Sequence, residues 1–333
     1  MRSGDVVEVK SAAEILATLD DTASKDALPF MPEMLRFAGQ RFVVDKRADK
    51  ICDTIHFNDS RRLPNAVLLG DLRCDGSAHD GCQAECRIFW KEEWLRPVEA
   101  RTAAPPSDAS GDATSRLADL AARSSRTEIL KEGRSEARYR CQATEAYVAS
   151  RHLKLTDPRP YLRELWNGNV RLGRFLRIMV RLTIAEVMRK RGRRPDLALV
   201  GTAKPGGPKE PSLDLQPGDR VRVRDREEIA TTLNAKGRNR GLWFDREMLP
   251  YCGETLRVRQ RVRQFIEEET GEMVRLQSDC VTLEGAVCQG EHSSRRWFCP
   301  RAIYPFWRDA WLEREPRAAV AGSTHGAPET PQP

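Results

Sequence analysis

Sulfur ligands are the clearest chemistry in this chain of 333 residues, which contains nine cysteines. The first half places four potential metal ligands within 13 residues: Cys74, His79, Cys82 and Cys86. Zn²⁺ prefers four thiolate or imidazole ligands in a tetrahedron, so this run predicts a zinc site. The fourth ligand beside the three thiolates stays open between Cys52, His79 and Cys141. Cys52 is favoured because it lies within the same module.

A second group of cysteines occurs in the other half of the chain. It consists of Cys252, Cys280, Cys288 and Cys299, with His292 as a substitute for one of them. Four cysteines in one small module match a structural zinc site, in which protein fills every position. The sequence thus predicts two zinc ions per chain.

Two other interpretations of the cysteines remain open. An iron–sulfur cluster also takes four thiolates, although the compact ferredoxin spacing is absent. Cysteine can also be a small buried hydrophobic residue, which is the favoured interpretation for Cys141. Nine cysteines in a chain without a signal-like N-terminus argue against a disulfide framework.

An internal repeat supplies the framework that must position these ligands. With Gly4 placed on Gly218, 15 of the 41 residues from 4 to 44 are identical. The same register places FWKEEWL over FWRDAWL, and Cys82 over Cys299, after a length change. We therefore predict two copies of one module. The predicted boundaries are 1–100 and 218–314 for the modules, 101–115 and 203–217 for linkers, 116–202 for a basic helical segment, and 315–333 for a disordered tail.

Each copy has a β-rich pattern. Val7 and Val9 alternate with polar residues after a Gly-Asp turn, and a short helical stretch follows. The run RQFIEEETGEMVRLQ predicts a hairpin with Thr270 and Gly271 at its tip. The G-D-x-V-x-V opening resembles the first strand of SH3-like barrels, including KOW-type modules. The expected fold class is therefore α+β: two small SH3-like barrels with Cys-rich metal-binding loops, joined by a helical segment.

Paired tryptophans end each module. Trp90 and Trp94 are four residues apart, as are Trp307 and Trp311, a spacing that places both rings on one face of a helix. These rings either close the core of the barrel or form a stacking surface for bases. The first interpretation is favoured.

The middle of the chain contains a basic amphipathic pattern. Its candidate contact residues for nucleic acid or an acidic partner are Arg171, Arg174, Arg177, Arg181, Arg189, Lys190 and Arg191. Leu176 and Val187 are expected on the buried side. Clustered cations on one helix face are typical of phosphate binding, and such a helix also suits an anionic membrane surface. Alternatively, the arginines pair with acidic residues of the modules.

Composition sets wider limits. The net charge of +7 favours acidic partners. No apolar run is long enough to span a membrane, and the N-terminus lacks a signal-peptide core, so we expect a cytoplasmic protein. Phosphate-binding loops, dinucleotide fingerprints and nucleophile elbows are absent, so only the cysteines support an enzyme.

The chain resembles a family of bacterial proteins with two Cys-rich halves. The stretches that carry the resemblance are LPFMPEML, CDGSAHDGCQAEC, GRNRGLWFDREMLPYCG and FCPRAIYPFW. The resemblance implies membership and no mechanism. From the residues, the leading hypothesis is a zinc-stabilised binding or adaptor protein. The alternative is a metal- or iron–sulfur-dependent enzyme acting at the first cysteine cluster.

Overall fold

The computed structural model describes most of the chain. The described residues are 1–56, 60–98, 111–131, 133–154, 157–193, 198–204, 211–293 and 296–315. Within the predicted disordered tail, only Glu315 is among them. Residues 101–110 of the first predicted linker and 205–210 of the second also lie outside the described residues.

The first half consists of short strands and brief helices. Its elements are β1 (Val6–Val9), α1 (Ala12–Leu16), β2 (Ser24–Lys25), β3 (Leu28–Pro29), β4 (Arg41–Arg47), β5 (Ile51–Cys52), β6 (Ser60–Arg62), β7 (Ala66–Arg73), β8 (Arg87–Lys91) and β9 (Leu95–Pro97), with 3₁₀ helices at Pro32–Phe37 and Glu92–Trp94. Five of these strands form a curled antiparallel half-barrel in the order β8-β7-β4-β1-β9. The strand predicted around Val7 and Val9 is confirmed.

The middle segment contains both helices and strands. Its elements are α2 (Gly111–Ser124), β10 (Arg126–Lys131), β11 (Arg134–Tyr139), α3 (Gln142–Ala149), β12 (Arg151–Leu153), α4 (Arg159–Trp166) and α5 (Leu172–Lys190). The segment predicted to be helical, 116–202, thus contains helices but also strands, because β10 and β11 form a hairpin around Gly133, whose φ is +78°. The first predicted linker also ends early, since α2 begins at Gly111.

The second half forms a sheet with the same strand order as the first. Its elements are β13 (Arg220–Val223), α6 (Arg226–Thr232), β14 (Arg238–Asn239), β15 (Leu242–Trp243), β16 (Thr255–Arg261), β17 (Gln264–Ile266), β18 (Met273–Arg275), β19 (Cys280–Leu283), β20 (Trp307–Arg308) and β21 (Leu312–Arg314), with 3₁₀ helices at Arg246–Tyr251 and Asp309–Trp311. Five strands pair in the order β20-β19-β16-β13-β21. The predicted hairpin is confirmed, with β17 pairing to β18 around Gly271.

The two large sheets agree in detail. The register shift in β4 lies between Val44 and Lys46, and that in β16 lies between Val258 and Gln260. These positions differ by the same 214 residues that separate Gly4 from Gly218. A bulge at matching positions bends both sheets in the same place.

The paired tryptophans lie in the two cores. Trp90, Trp94, Trp307 and Trp311 are all 0% exposed, so they close the cores and offer no stacking surface. The expected helical spacing is wrong, because the first tryptophan of each pair lies on a strand, β8 or β20. The Trp94 indole donates to the Thr18 hydroxyl at 3.1 Å. The Trp311 indole donates to the hydroxyl of Thr232, the aligned residue of α6, at 3.0 Å.

Candidate metal centre between the two halves

The loop between β7 and β8 carries the first cysteine cluster. Its ends are joined by a hydrogen bond from the Cys74 amide to the Cys86 carbonyl, 2.9 Å long. The middle of the loop lies against the other half. The Gln83 amide donates to the Gln264 carbonyl at 3.1 Å, and the Ile266 amide donates to Cys82 Sγ at 3.4 Å. The cluster is thus held between the two halves.

Glu33 joins two of the predicted ligands. Its Oε1 accepts from the Cys74 thiol at 3.0 Å and contacts His79 Nδ1 at 2.9 Å. The ligand atoms of these three residues all lie within 4.8 Å of one another, and within the described part of the chain no other such group of three occurs. Glu33 comes from the 3₁₀ helix Pro32–Phe37 and is 6% exposed, while His79 is 1% exposed. One Glu-Cys-His cluster can therefore hold a metal ion.

Two buried polar atoms of this cluster lack partners among the described residues. They are His79 Nε2 and Glu33 Oε2. Because a carboxylate only accepts, the Nδ1 of neutral His79 carries the proton and Nε2 keeps a lone pair. Metal-bound histidines usually donate their other ring N–H to such a carboxylate. A buried polar atom without a partner is costly, and a cation at Nε2 removes that cost.

The remaining thiols of the region line the same cavity. Cys74, Cys82, Cys86 and Cys141 all border a cavity of about 480 Å³. Burial raises the pKa of Cys141 to about 11. Burial and the neighbouring charge of Glu33 raise the pKa of Cys74, so this site holds neutral thiols at pH 7 unless a cation replaces their protons.

The cavity has apolar walls from both halves. Met31 lines one side, and Phe265, Ile303 and Phe306 line the other. Glu268 also borders the cavity and is paired with Arg301 at 2.6 Å. An apolar pocket with a few convergent polar groups is the usual form of a small-molecule site.

Cys52 belongs to a different cluster from the one predicted. Its Sγ lies 3.2 Å from Cys299 Sγ, and its amide donates to the same sulfur. β5 places Cys52 against the loop of the other half, so Cys52 does not complete the first site. The contact mirrors the one between Ile266 and Cys82: Cys52 and Ile266 are 214 residues apart, and Cys82 aligns with Cys299.

Glu247 is the counterpart of Glu33 but has other partners. Its carboxylate accepts four backbone N–H groups, from Gln289, Glu291, His292 and Ser293, at 2.7–3.1 Å. The second loop thus satisfies its own carboxylate, whereas the first relies on a thiol and an imidazole. This contrast makes the first cluster the better metal site.

The other predicted ligands of the second half are dispersed. Cys280 lies on β19, opposite Arg308 in the sheet. Cys252 follows the 3₁₀ helix Arg246–Tyr251 and lies near Arg226. Cys288 is near Cys52 and Glu247, and His292 contacts Arg181. The structure therefore does not bring the four cysteines of the second half together as one ligand set.

Three arginines of the α5 stripe form ion pairs with an acidic residue of the same chain. Arg174, Arg177 and Arg181 approach the Glu291 carboxylate at 3.4, 3.6 and 2.7 Å. Glu291 has a side chain only 5% exposed, so it forms the centre of this ion-pair network. The other predicted contact residues lie at the ends of the helix. Arg171 precedes α5, Lys190 is its exposed last residue, Arg191 is its exposed C-cap, and Arg189 is paired with Glu186.

One expectation for α5 is wrong. Leu176 is 54% exposed and Val187 is 43% exposed, although both were expected on the buried side. The helix is rotated because its arginines face the second half, with Phe175 and Ile178 buried beside them. The apolar residues between the arginines therefore point outward.

No sequence motif identifies Glu33 as a site residue. The available signal was its identity with Glu247 when the two halves are aligned, at a position where neither strand pattern nor core packing calls for an acid. Comparisons with protein-family models, with curated proteins and with solved structures found no match.

None of the described helices is both long and apolar enough to cross a bilayer.

Proposed function

We propose that this chain is a zinc-dependent binding protein with its metal centre between the halves. His79 supplies Nε2, and Cys74 supplies a thiolate. Cys82 and Cys86 border the same cavity but lie outside the Glu33, Cys74 and His79 group, and they would supply the remaining thiolates on closing around the ion. Glu33 orients the imidazole. The observation that carries the proposal is the buried, unpartnered Nε2 of His79, whose Nδ1 is engaged by the same Glu33 oxygen that accepts from Cys74.

The donor set supports zinc over other ions. One imidazole with thiolates is a common structural zinc environment, whereas calcium and magnesium select oxygen. An iron–sulfur cluster remains the alternative metal group, because Cys141 offers a fourth thiolate at the same cavity. The colour of the purified protein separates the two, since zinc proteins are colourless and iron–sulfur proteins are brown.

We further propose that the two halves are duplicated, SH3-like modules. Their support is the shared strand order, the matching bulge and the reciprocal contacts at Cys82 and Cys299. In this view a pair of similar modules encloses one cavity, as the two subunits of a dimer do. Metal binding in one loop then fastens both modules together, because that loop contacts both.

The binding role rests on the cavity beside the metal centre. Its apolar walls suit a small apolar ligand or the side chain of a partner protein. Nucleic acid is a weaker candidate than the sequence alone indicated, because Arg174, Arg177 and Arg181 are engaged by Glu291.

A metal-dependent enzyme is the second candidate, and one observation favours it. Cys74 and His79 of the Glu-Cys-His group border a cavity of about 480 Å³, whereas structural zinc sites are closed. Three protein ligands with a fourth position open to that cavity could activate a water molecule. Cobalt substitution tests this: a small anion changes the visible spectrum only where a coordination position is open.

Metal analysis of variants tests the proposal directly. We expect one zinc per chain in the wild type, and loss of that zinc in His79→Ala and Cys74→Ser. The matched controls are His292→Ala and Cys288→Ser, which change the corresponding loop of the second half. A wild-type protein without zinc or iron, or equal metal loss in the controls, contradicts the proposal.

A further inference from the structure

The outward face of α5 carries a continuous apolar stripe. Its members are Leu172 (61% exposed), Leu176 (54%), Val180 (59%), Ile184 (55%) and Val187 (43%). Spacings of four and three residues place these side chains on one side of the helix. Soluble proteins rarely expose contiguous apolar patches, and such patches usually mark an interaction site.

The preceding helix, α4, also exposes apolar side chains. Leu162 is 58% exposed and Trp166 is 72% exposed. The guanidinium of Arg2 lies 5.2 Å from the centre of the Trp166 ring, so a cation accompanies the aromatic end of the surface. An exposed tryptophan beside aliphatic residues is typical of the boundary between lipid headgroups and acyl chains.

The opposite face of α5 packs against the second half, so the stripe is not a core surface left open by loose packing. Phe175 stacks on Phe298 with ring centres 5.4 Å apart. Ile178 is buried in the same cluster, and Arg181 binds Glu291 at 2.7 Å. The helix is therefore anchored to the second half in an orientation that presents the apolar stripe to the outside.

Positive charge surrounds the apolar surface. Exposed cations of α4, α5 and the residues that flank them, apart from those that approach Glu291, are Arg159, Arg163, Arg171, Lys190, Arg191 and Arg193. Within α5 the sequence contains one acidic residue, Glu186, and this residue is paired with Arg189. The face thus combines an apolar centre with a cationic rim.

We infer that this face, formed by α4 and α5, binds the anionic surface of a lipid bilayer, with α5 lying parallel to the membrane plane. An amphipathic helix inserts its apolar side chains at the headgroup boundary, and basic residues contact anionic lipids. A second copy of the chain is disfavoured as the occupant, because two cationic rims would face each other. The inference is independent of the metal centre.

Vesicle co-sedimentation of the full chain tests the inference. We expect binding to vesicles of phosphatidylcholine mixed with phosphatidylglycerol, little binding to pure phosphatidylcholine, and weaker binding at high salt. The double variant Leu176→Ser with Ile184→Ser should bind about thirtyfold more weakly, because it removes half-exposed apolar surface. Lys190→Ala and Arg191→Ala should each weaken binding about fivefold.

Val148→Ser is the matched control, because Val148 is 69% exposed on α3, away from the stripe. It should leave vesicle binding unchanged. Since all substituted positions are exposed, an unchanged melting temperature verifies that each variant is folded. Equal binding to both kinds of vesicle, or full binding by the double variant, overturns the inference. A dimer that the double variant dissociates, without vesicle binding, assigns the face to a second copy and also overturns it.

Discussion

Replacement of Glu33 by glutamine tests whether its carboxylate orients His79 for metal binding. Glu33 Oε1 accepts from His79 Nδ1 at 2.9 Å and from Cys74 at 3.0 Å. Glutamine preserves the size of the side chain but removes its charge. The imidazole then loses the carboxylate that fixes its Nε2 as the metal-facing nitrogen.

The size of the effect follows from the role assigned to Glu33. Loss of a hydrogen-bond partner behind a metal-bound histidine weakens metal binding about 10- to 100-fold. This corresponds to about 1.4–2.7 kcal/mol. Competition with a chromophoric zinc chelator measures the affinity. At a fixed low zinc concentration, the melting temperature of Glu33→Gln should fall as well, since binding free energy adds to folding stability.

Glu247→Gln is the matched control for this prediction. Glu247 accepts four backbone N–H groups of its own loop and contacts neither His79 nor Cys74 in the described structure. Its replacement should destabilise the fold by about 3 kcal/mol, because hydrogen bonds to a charged group are lost. Zinc affinity should stay within twofold of the wild-type value. If Glu33→Gln leaves zinc affinity unchanged, or if both variants weaken it equally, the assignment of Glu33 is wrong.

Three further predictions concern the contact between the halves and the middle segment. Treatment with hydrogen peroxide should join Cys52 to Cys299 in a disulfide, because their sulfurs are 3.2 Å apart. Intact mass and peptide mapping detect the bond. Its absence contradicts the contact between β5 and the loop of the second half. Glu291→Gln should lower the free energy of unfolding by about 3 kcal/mol, because a buried carboxylate that contacts three arginines is lost. Urea unfolding measures this free energy. A change below about 0.5 kcal/mol would show that the ion pairs of Glu291 do not stabilise the fold. Burial raises the pKa of Glu164 from 4.5 to about 7, so its contribution to stability is complete below pH 4.5 and is lost as the pH rises through about 7. That loss is at most about 3 kcal/mol, and the stability of Glu164→Gln should change less over the same range.

The regular elements of each half were largely predictable from the sequence. Alternation at Val7 and Val9, and at Val221 and Val223, predicted β1 and β13, because strand periodicity is local. The hairpin around Gly271 was predictable for the same reason. The hairpin of β10 and β11 was missed, since its charged residues resemble those of an exposed helix and only Gly133 marks the turn.

The candidate metal centre was predictable only in part. Cys74 and His79 are close in sequence, so one loop brings them together, and their spacing identified them. Cys52 was assigned to the wrong cluster because its partner, Cys299, is 247 residues away. No local sequence pattern indicates which strand of one half contacts the loop of the other half.

The sequence by itself determined which residue types are present, the identities between its two halves, and strands β1 and β13. The tertiary structure alone decided which sulfur meets which, that Glu33 orients His79, and that the arginines of α5 turn inward to Glu291. The physical reason is that periodicity fixes which side chains share a face. It does not fix which neighbour that face meets, since that depends on the packing of segments hundreds of residues apart.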